Sequence, residues 1–293
     1  MPSLHAPLPA ATEAPAAPAG IRLIVTDMDG TLLDDDKRPP EGLREVLGLL
    51  RERGVLFSPA SGRQYATLAQ EFADVSDGMV FIAENGTYVV RDGRELSSDP
   101  LDRATVARLV ATVRRLAADG ADLGAVVCGK RSAYVERSDP AFLAEVARYY
   151  VRHEVVADAT AVDDEILKVA LFDFGPVEET TAPALAPFAA THQVVVSGAH
   201  WVDVMNRTAN KGAALRRLQR ELGITRAETL VFGDYLNDLE MLDAADWSFA
   251  MANAHPEVVR RARHLAPSNN EDGVLRTVVR LLGLPVAPAR AAR

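Results

Sequence analysis

Apolar and polar positions follow two different rhythms along this chain. Residues 21–25 form a short, nearly continuous apolar run rich in branched side chains, the pattern of a strand buried on both faces of a parallel sheet. After a polar loop, Leu43, Val46, Leu47 and Leu50 recur at i, i+3, i+4 and i+7. That spacing predicts a helix with one buried stripe, ending near Gly54. A strand at 55–57, a helix at 64–72 and a strand at 79–82 follow. Strand and helix alternating at this spacing predict parallel βαβ units.

The rhythm then changes. Residues 87–96 read as a hairpin around Asp92-Gly93, a dipeptide such turns favour. Val106, Leu109, Val110, Val113 and Leu116 form a helix stripe. Short strands are expected at 125–128 and 133–136, a helix at 140–150 and a strand at 166–174. A helix at 178–190 is weakened by Pro183 and Pro187. Two strands, 194–196 and 201–205, precede a return to the first rhythm. There a helix at 210–222, a strand at 229–232, a helix at 236–244 and a strand at 247–250 are predicted. Helices at 256–263 and 271–282 close the pattern. The simplest account is an α/β domain with a doubly wound parallel sheet, interrupted by an inserted α+β domain. The expected division is 20–87 and 191–284 for the split domain and 88–190 for the insertion. Ala/Pro-rich tails at 1–19 and 285–293 are expected to be flexible.

Composition adds exclusions. With 293 residues, 48% of them hydrophobic, the chain can form one large or two ordinary domains. Its net charge of −9 is the wrong sign for gripping nucleic acid through phosphates. No apolar run approaches the ~18–20 residues needed to cross a bilayer. The N-terminal stretch has neither the basic start nor the unbroken apolar core of a secretory signal. One cysteine, Cys128, excludes an intrachain disulfide framework and a cysteine zinc site. These features together point to a cytoplasmic protein, and they leave monomer or weak dimer open.

Candidate chemistry gathers where predicted strands end. Asp27-Met28-Asp29-Gly30-Thr31 directly follows the first strand, where ligands bind in open α/β sheets. Two carboxylates this close repel each other unless a cation or proton intervenes, and Mg²⁺ takes hard oxygen ligands alongside phosphate. Gly30 allows close backbone approach and Thr31 offers a hydroxyl. Gly233-Asp234-Tyr235-Leu236-Asn237-Asp238 follows a second strand, although acidic residues there could simply cap a helix. Ser61-Gly62-Arg63 could hold a phosphate oxygen through a hydroxyl and backbone N–H groups. Lys211 opposes a helix dipole at its N-terminus, which suits a nearby anion.

In this order the four motifs resemble those of the haloacid dehalogenase superfamily of aspartate-nucleophile phosphatases. Ala83-Glu84-Asn85-Gly86, Ala252-Asn253-Ala254-His255-Pro256-Glu257 and Asn269-Asn270-Glu271-Asp272-Gly273-Val274 extend the resemblance to the Cof-type subfamily. Its members carry a large α/β cap of type IIB. The spacing agrees: 32 positions separate Asp29 from Ser61, while 150 separate Ser61 from Lys211. A domain-sized insertion therefore falls between the second and third motifs.

The resemblance implies roles. Asp27 would attack phosphorus to form an aspartyl-phosphate, and Asp29 would serve as general acid and base. Mg²⁺ would be held by Asp27, Asp234 and the backbone carbonyl of Asp29, with Asp238 and Thr31 supporting from behind. The backbone N–H of Met28, with Ser61, Gly62, Lys211 and Asn237, would bind the transferring phosphoryl oxygens. The substrate would be a small phosphate ester, with no nucleic acid or membrane partner. The alternatives are a phosphomutase, a dedicated sugar-phosphate phosphatase, or a non-catalytic ligand-binding relative. Ala252 stands where many relatives have Gly. Asp34, Asp35 and Asp36 read as a solvated loop, Trp201 and Trp247 as core, and His153, His200 and His255 as outside any metal site. Lys168 reads equally well as facing the substrate or as an edge-strand lysine.

Overall fold

The computed structural model describes residues 20–197 and 199–286. The first strand, β1 (Leu23–Thr26), leads to α1 (Leu43–Glu52), β2 (Leu56–Pro59), α2 (Tyr65–Glu71) and β3 (Val80–Ala83). A hairpin follows, β4 (Tyr88–Arg91) and β5 (Arg94–Ser98). Next come α3 (Arg103–Ala118), β6 (Leu123–Gly129), β7 (Ala133–Val135), α4 (Pro140–Ala147), β8 (His153–Val155) and β9 (Ile166–Asp173). The short α5 (Thr181–Ala184), β10 (His192–Val196) and β11 (Trp201–Asn206) complete this middle part. The chain ends with α6 (Lys211–Leu222), β12 (Thr229–Gly233), α7 (Leu239–Leu242), β13 (Trp247–Met251), α8 (Pro256–Arg261), β14 (His264–Ala266) and α9 (Gly273–Leu282).

Five strands form a parallel sheet in the order β14-β13-β12-β1-β2. β3 lies beside β2, joined by a parallel bridge between Ala60 and Ile82. The period-2 geometry of a strand sends neighbouring side chains to opposite faces, and here both faces are dry. Ile24, Phe232 and Phe249 pack with α1 and α9 on one side. Leu23, Val25, Val231 and Ala250 pack with α6, α7 and α8 on the other. This double burial is why the strands read as unbroken apolar runs. The chain runs from β1 to β2 on one side and from β12 through β13 to β14 on the other. The switch point of the sheet therefore lies between β1 and β12.

The middle part is a six-stranded sheet, β10-β11-β9-β6-β7-β8, with β9 in its centre. One face packs against α3 and the other against α4. Two boundaries differ from the sequence expectation. The hairpin β4–β5, expected in the insertion, pairs with β3. Strands β10 and β11, expected in the split domain, pair with β9. Pairing partners far apart in sequence decide both, and local pattern does not carry that information. The expected helix at 178–190 is realised only as α5 and a separate 3-10 turn at Ala186–Phe188. Pro183 and Pro187 remove the backbone donors a longer helix would use. The expected tail at 1–19 and residues 287–293 lie outside the described residues, while Val286 packs against the first core.

Candidate active site

Parallel pairing of β1 with β12, Thr26 opposite Phe232, brings the ends of the two strands side by side. Asp27 follows the first and Asp234 the second. Carboxylate oxygens of Asp27, Asp234 and Asp238 all lie within 4.8 Å of one another. Lys211, wholly buried at the start of α6, makes an ion pair with Asp27 and reaches Asp238 Oδ1 at 2.7 Å. Burial alone would lower the Lys211 ammonium, but Asp238 and Asp27 outweigh it and hold it above its ordinary range. Burial pushes Asp27 well up; Lys211 opposes this, and Asp238 and Asp234 add to it. Burial likewise pushes Asp234 up to about 6. Three carboxylates around one ammonium leave an excess of negative charge in a low-dielectric place. A divalent cation with hard oxygen ligands fits that excess.

The supporting residues are specific. Thr31 Oγ1 donates to Asp234 Oδ1 at 2.6 Å, locking the two strand ends together. Gly30 has φ +80°, and a Cβ there would sit 2.5 Å from Asp234 Oδ2. Only glycine meets both demands. Asp238 Oδ2 accepts the backbone N–H of Asp234 at 3.0 Å and of Tyr235 at 3.3 Å. Its two oxygens thus tie the β12 loop to Lys211. The Met28 side chain is buried in the core, so only its backbone can serve a ligand. Ser61 is buried, and its Oγ accepts the Arg63 N–H at 3.1 Å. Asn237 Nδ2 donates to Asn85 Oδ1 at 3.3 Å.

The side chain of Asp29 is not part of the carboxylate cluster. Arg63 Nε and Nη2 hold it at 2.8 and 2.7 Å, and Lys37 Nζ at 2.8 Å. Burial alone would raise this carboxyl, but hydrogen bonds and charge from Arg63, then Lys37, bring it below the usual range. Arg63 also pairs with Glu71.

A cavity of about 300 Å³ lies between this strand edge and the six-stranded sheet. Asp27, Asp29, Ser61, Gly62, Asp234 and Asn237 line its floor. Tyr149, Tyr150, Lys168, Trp201 and Asp203 line its roof. Lys168 lies on the central strand β9, which excludes the edge-strand reading. It is 2% exposed and donates to the Gly62 carbonyl at 2.9 Å. Trp201 is half-buried and lines the cavity, where the sequence suggested core. Asp35 is exposed, as expected, and also accepts from Asn269 Nδ2 at 3.0 Å and Asn270 Nδ2 at 2.9 Å. It pins the loop after β1 to the start of α9. Among the described histidines, His153 and His200 bond backbone carbonyls, and His255 caps α8.

Lys37 and Asp203 were not singled out from sequence, and Arg63, Glu84 and Asn85 stood in motifs without a role of their own. For Asn85 and Glu84 a signal existed: both stand in the Ala83–Gly86 motif, and both adopt left-handed backbone, φ 57° and 50°. Non-glycine residues hold that conformation only where surroundings enforce it. No helix among the described residues is long and apolar enough to cross a membrane.

The family model for haloacid dehalogenase-like hydrolases matches residues 24–278. The 5-amino-6-(5-phospho-D-ribitylamino)uracil phosphatase YbjI of Escherichia coli is 34% identical over 265 residues, covering 89% of this chain and 96% of the relative. The HMP-PP phosphatase of Cronobacter sakazakii is 28% identical over 245 residues, covering 83% and 89%. The crystal structure of SMU.1108c from Streptococcus mutans superposes with a TM-score of 0.80 at 25% identity, covering 90% of this chain and 100% of that one. With its motifs at the switch point of the sheet and the match running through nearly the whole described chain, this protein belongs to the haloacid dehalogenase-like hydrolase family.

Proposed function

We propose that this protein is a Mg²⁺-dependent phosphatase that hydrolyses a small phosphorylated metabolite through an aspartyl-phosphate. The observation that carries the reading is the cluster of Asp27, Asp234 and Asp238 around the buried Lys211, open to a cavity at the sheet's switch point. Asp27, Asp234 and the backbone carbonyl of Asp29 would hold the metal. When bound, the metal supplies charge neutralisation between carboxylates and phosphoryl oxygens.

Asp27 attacks phosphorus, and the P–O bond to the leaving group breaks as the aspartyl-phosphate forms. Lys211 offsets charge on Asp27 and on the transferring phosphoryl group. Ser61, Gly62, Asn237 and the Met28 N–H hold its remaining oxygens. Such fixed donors are the main protein contribution to phosphoryl transfer. Asp29 gives a proton to the leaving oxygen and later takes one from water. To carry that proton it must part from at least one of its two cations as the ester enters. Regions 20–98 and 207–286 form the catalytic unit in this reading, and 99–206 forms a cap over it.

The test is phosphate release from a panel of monoesters with Mg²⁺ or with EDTA. Asp27→Asn is expected to lower turnover by about three orders of magnitude or more while the fold persists. Full activity in that variant would remove the nucleophile assignment. A mutase would instead isomerise the ester without releasing phosphate.

A further inference from the structure

The roof of the cavity has a chemistry of its own. Strand register places Trp201 opposite Phe172, Asp203 opposite Ala170 and Met205 opposite Lys168. Alternation therefore puts Trp201, Asp203 and Lys168 on one face of the six-stranded sheet, the face toward the catalytic floor. Three buried charges meet there. Lys168 Nζ lies 3.0 Å from Glu84 Oε2 and 3.6 Å from Asp203 Oδ2, besides its bond to the Gly62 carbonyl. Among the described residues its one hydrogen bond goes to the Gly62 carbonyl, and Glu84 and Asp203 hold it as ion-pair partners. The cation is thus flanked by two carboxylates of the protein itself.

Asp203 is 4% exposed, so nine-tenths of it and more is buried. Its Oδ2 takes Asn85 Nδ2 at 3.3 Å and Lys168. Its Oδ1 takes no hydrogen bond from any described residue, and the residue lines the cavity. This oxygen is open to the cavity, where a ligand's donor can take the place of water. Behind the roof, Glu84 and Asp203 both face the single cation Lys168.

We propose that Asp203 is the specificity-determining residue of the cap, and that the leaving group is uncharged and carries O–H or N–H donors which bond its Oδ1. A polyol supplies such donors as hydroxyls, and an amino-substituted heterocycle supplies them as N–H groups. A leaving group bearing a second anion meets unpaired negative charge and is rejected. A donorless one leaves Oδ1 unsatisfied. This inference rests on the phosphatase reading above for its kinetic test, but not for its binding test.

The experiment compares four esters: sorbitol 6-phosphate, 6-phosphogluconate, hexyl phosphate and an aminopyrimidine-methanol phosphate. The first two differ only in a hydroxymethyl against a carboxylate, and the fourth carries N–H donors in place of hydroxyls. For the native protein, kcat/KM for sorbitol 6-phosphate, the aminopyrimidine ester or both is expected to exceed that for hexyl phosphate and 6-phosphogluconate by about 100-fold or more. Which of the two leads identifies the donor. In Asp203→Ala and Asp203→Asn the preference over hexyl phosphate is expected to fall at least about 10-fold, mostly through KM. Native protein that takes hexyl phosphate or 6-phosphogluconate equally well overturns the proposal, whether or not the variants fold. So does an unchanged preference in folded Asp203→Ala. Calorimetric affinities of Asp27→Asn for the same esters are read in parallel. If no ester is turned over, the phosphatase reading fails, and the binding order alone decides the role of Asp203.

Discussion

At the scale of single residues, the site depends on contacts that short polar groups make across the β1–β12 junction. Thr31 is the clearest case. Its hydroxyl holds Asp234 at 2.6 Å, and valine in its place keeps the shape but removes the donor. Thr31→Val is expected to weaken metal affinity about 10–100-fold, as loss of an outer-shell partner does. A Mg²⁺ titration of activity reads this, and much of the loss should return at saturating metal. Gly30 is a stricter case. Alanine there would need φ +80° and would place its Cβ 2.5 Å from Asp234 Oδ2. Gly30→Ala is expected to displace Asp234, and to cost more stability than the usual ~1 kcal/mol of a simple conformational change. Thermal unfolding and metal titration together separate the two effects. The motif Asp27–Thr31 announced these residues. The pairing of Asp29 was hidden, because Arg63, although part of a named motif, and Lys37 approach it from other loops.

At the scale of elements, α6 carries the lysine and needs its own N-terminus fixed. Asn210 is the N-cap, with its side chain accepting the Ala213 N–H at 2.7 Å. The turn at Gly86 presses on the same place: a Cβ there would lie 2.5 Å from the Asn210 carbonyl. Asn210→Ala is expected to lose about 1 kcal/mol of stability. It should also lower kcat, because Lys211 is the next residue. Denaturant unfolding and steady-state kinetics on one preparation check both. Helices with a clean apolar stripe, such as α1, α3 and α6, were legible from periodicity. The short strands β8 and β14 were not, since three residues carry too little pattern.

At the scale of the molecule, the cap is fastened to the catalytic floor by buried charge and by backbone bonds. Gln64 exchanges two bonds with the Arg152 backbone, at 3.0 and 3.1 Å, and Thr67 reaches the Tyr149 carbonyl at 3.0 Å. Lys168 adds the central fastening. Removing its ammonium strands Glu84 beside Asp203, and breaking a buried pair this way typically costs about 3–5 kcal/mol. Lys168→Met is therefore expected to unfold at a markedly lower temperature and to be cleaved faster by protease within 99–206. Unchanged melting and proteolysis would show that the fastening lies elsewhere. The sequence by itself determined the doubly wound sheet and the aspartates at two strand ends. Local periodicity and turn chemistry suffice for these. Tertiary structure alone decided that β10 and β11 join the sheet of β9, that Arg63 and Lys37 hold Asp29, and that Asp203 lines the cavity. Each depends on strands or loops far apart in sequence meeting in space. A lysine inside the apolar run 166–172 was visible from the start. Only the pairing of β9 with β6 and β11 showed that it is buried at the centre of a sheet, aimed at the catalytic floor.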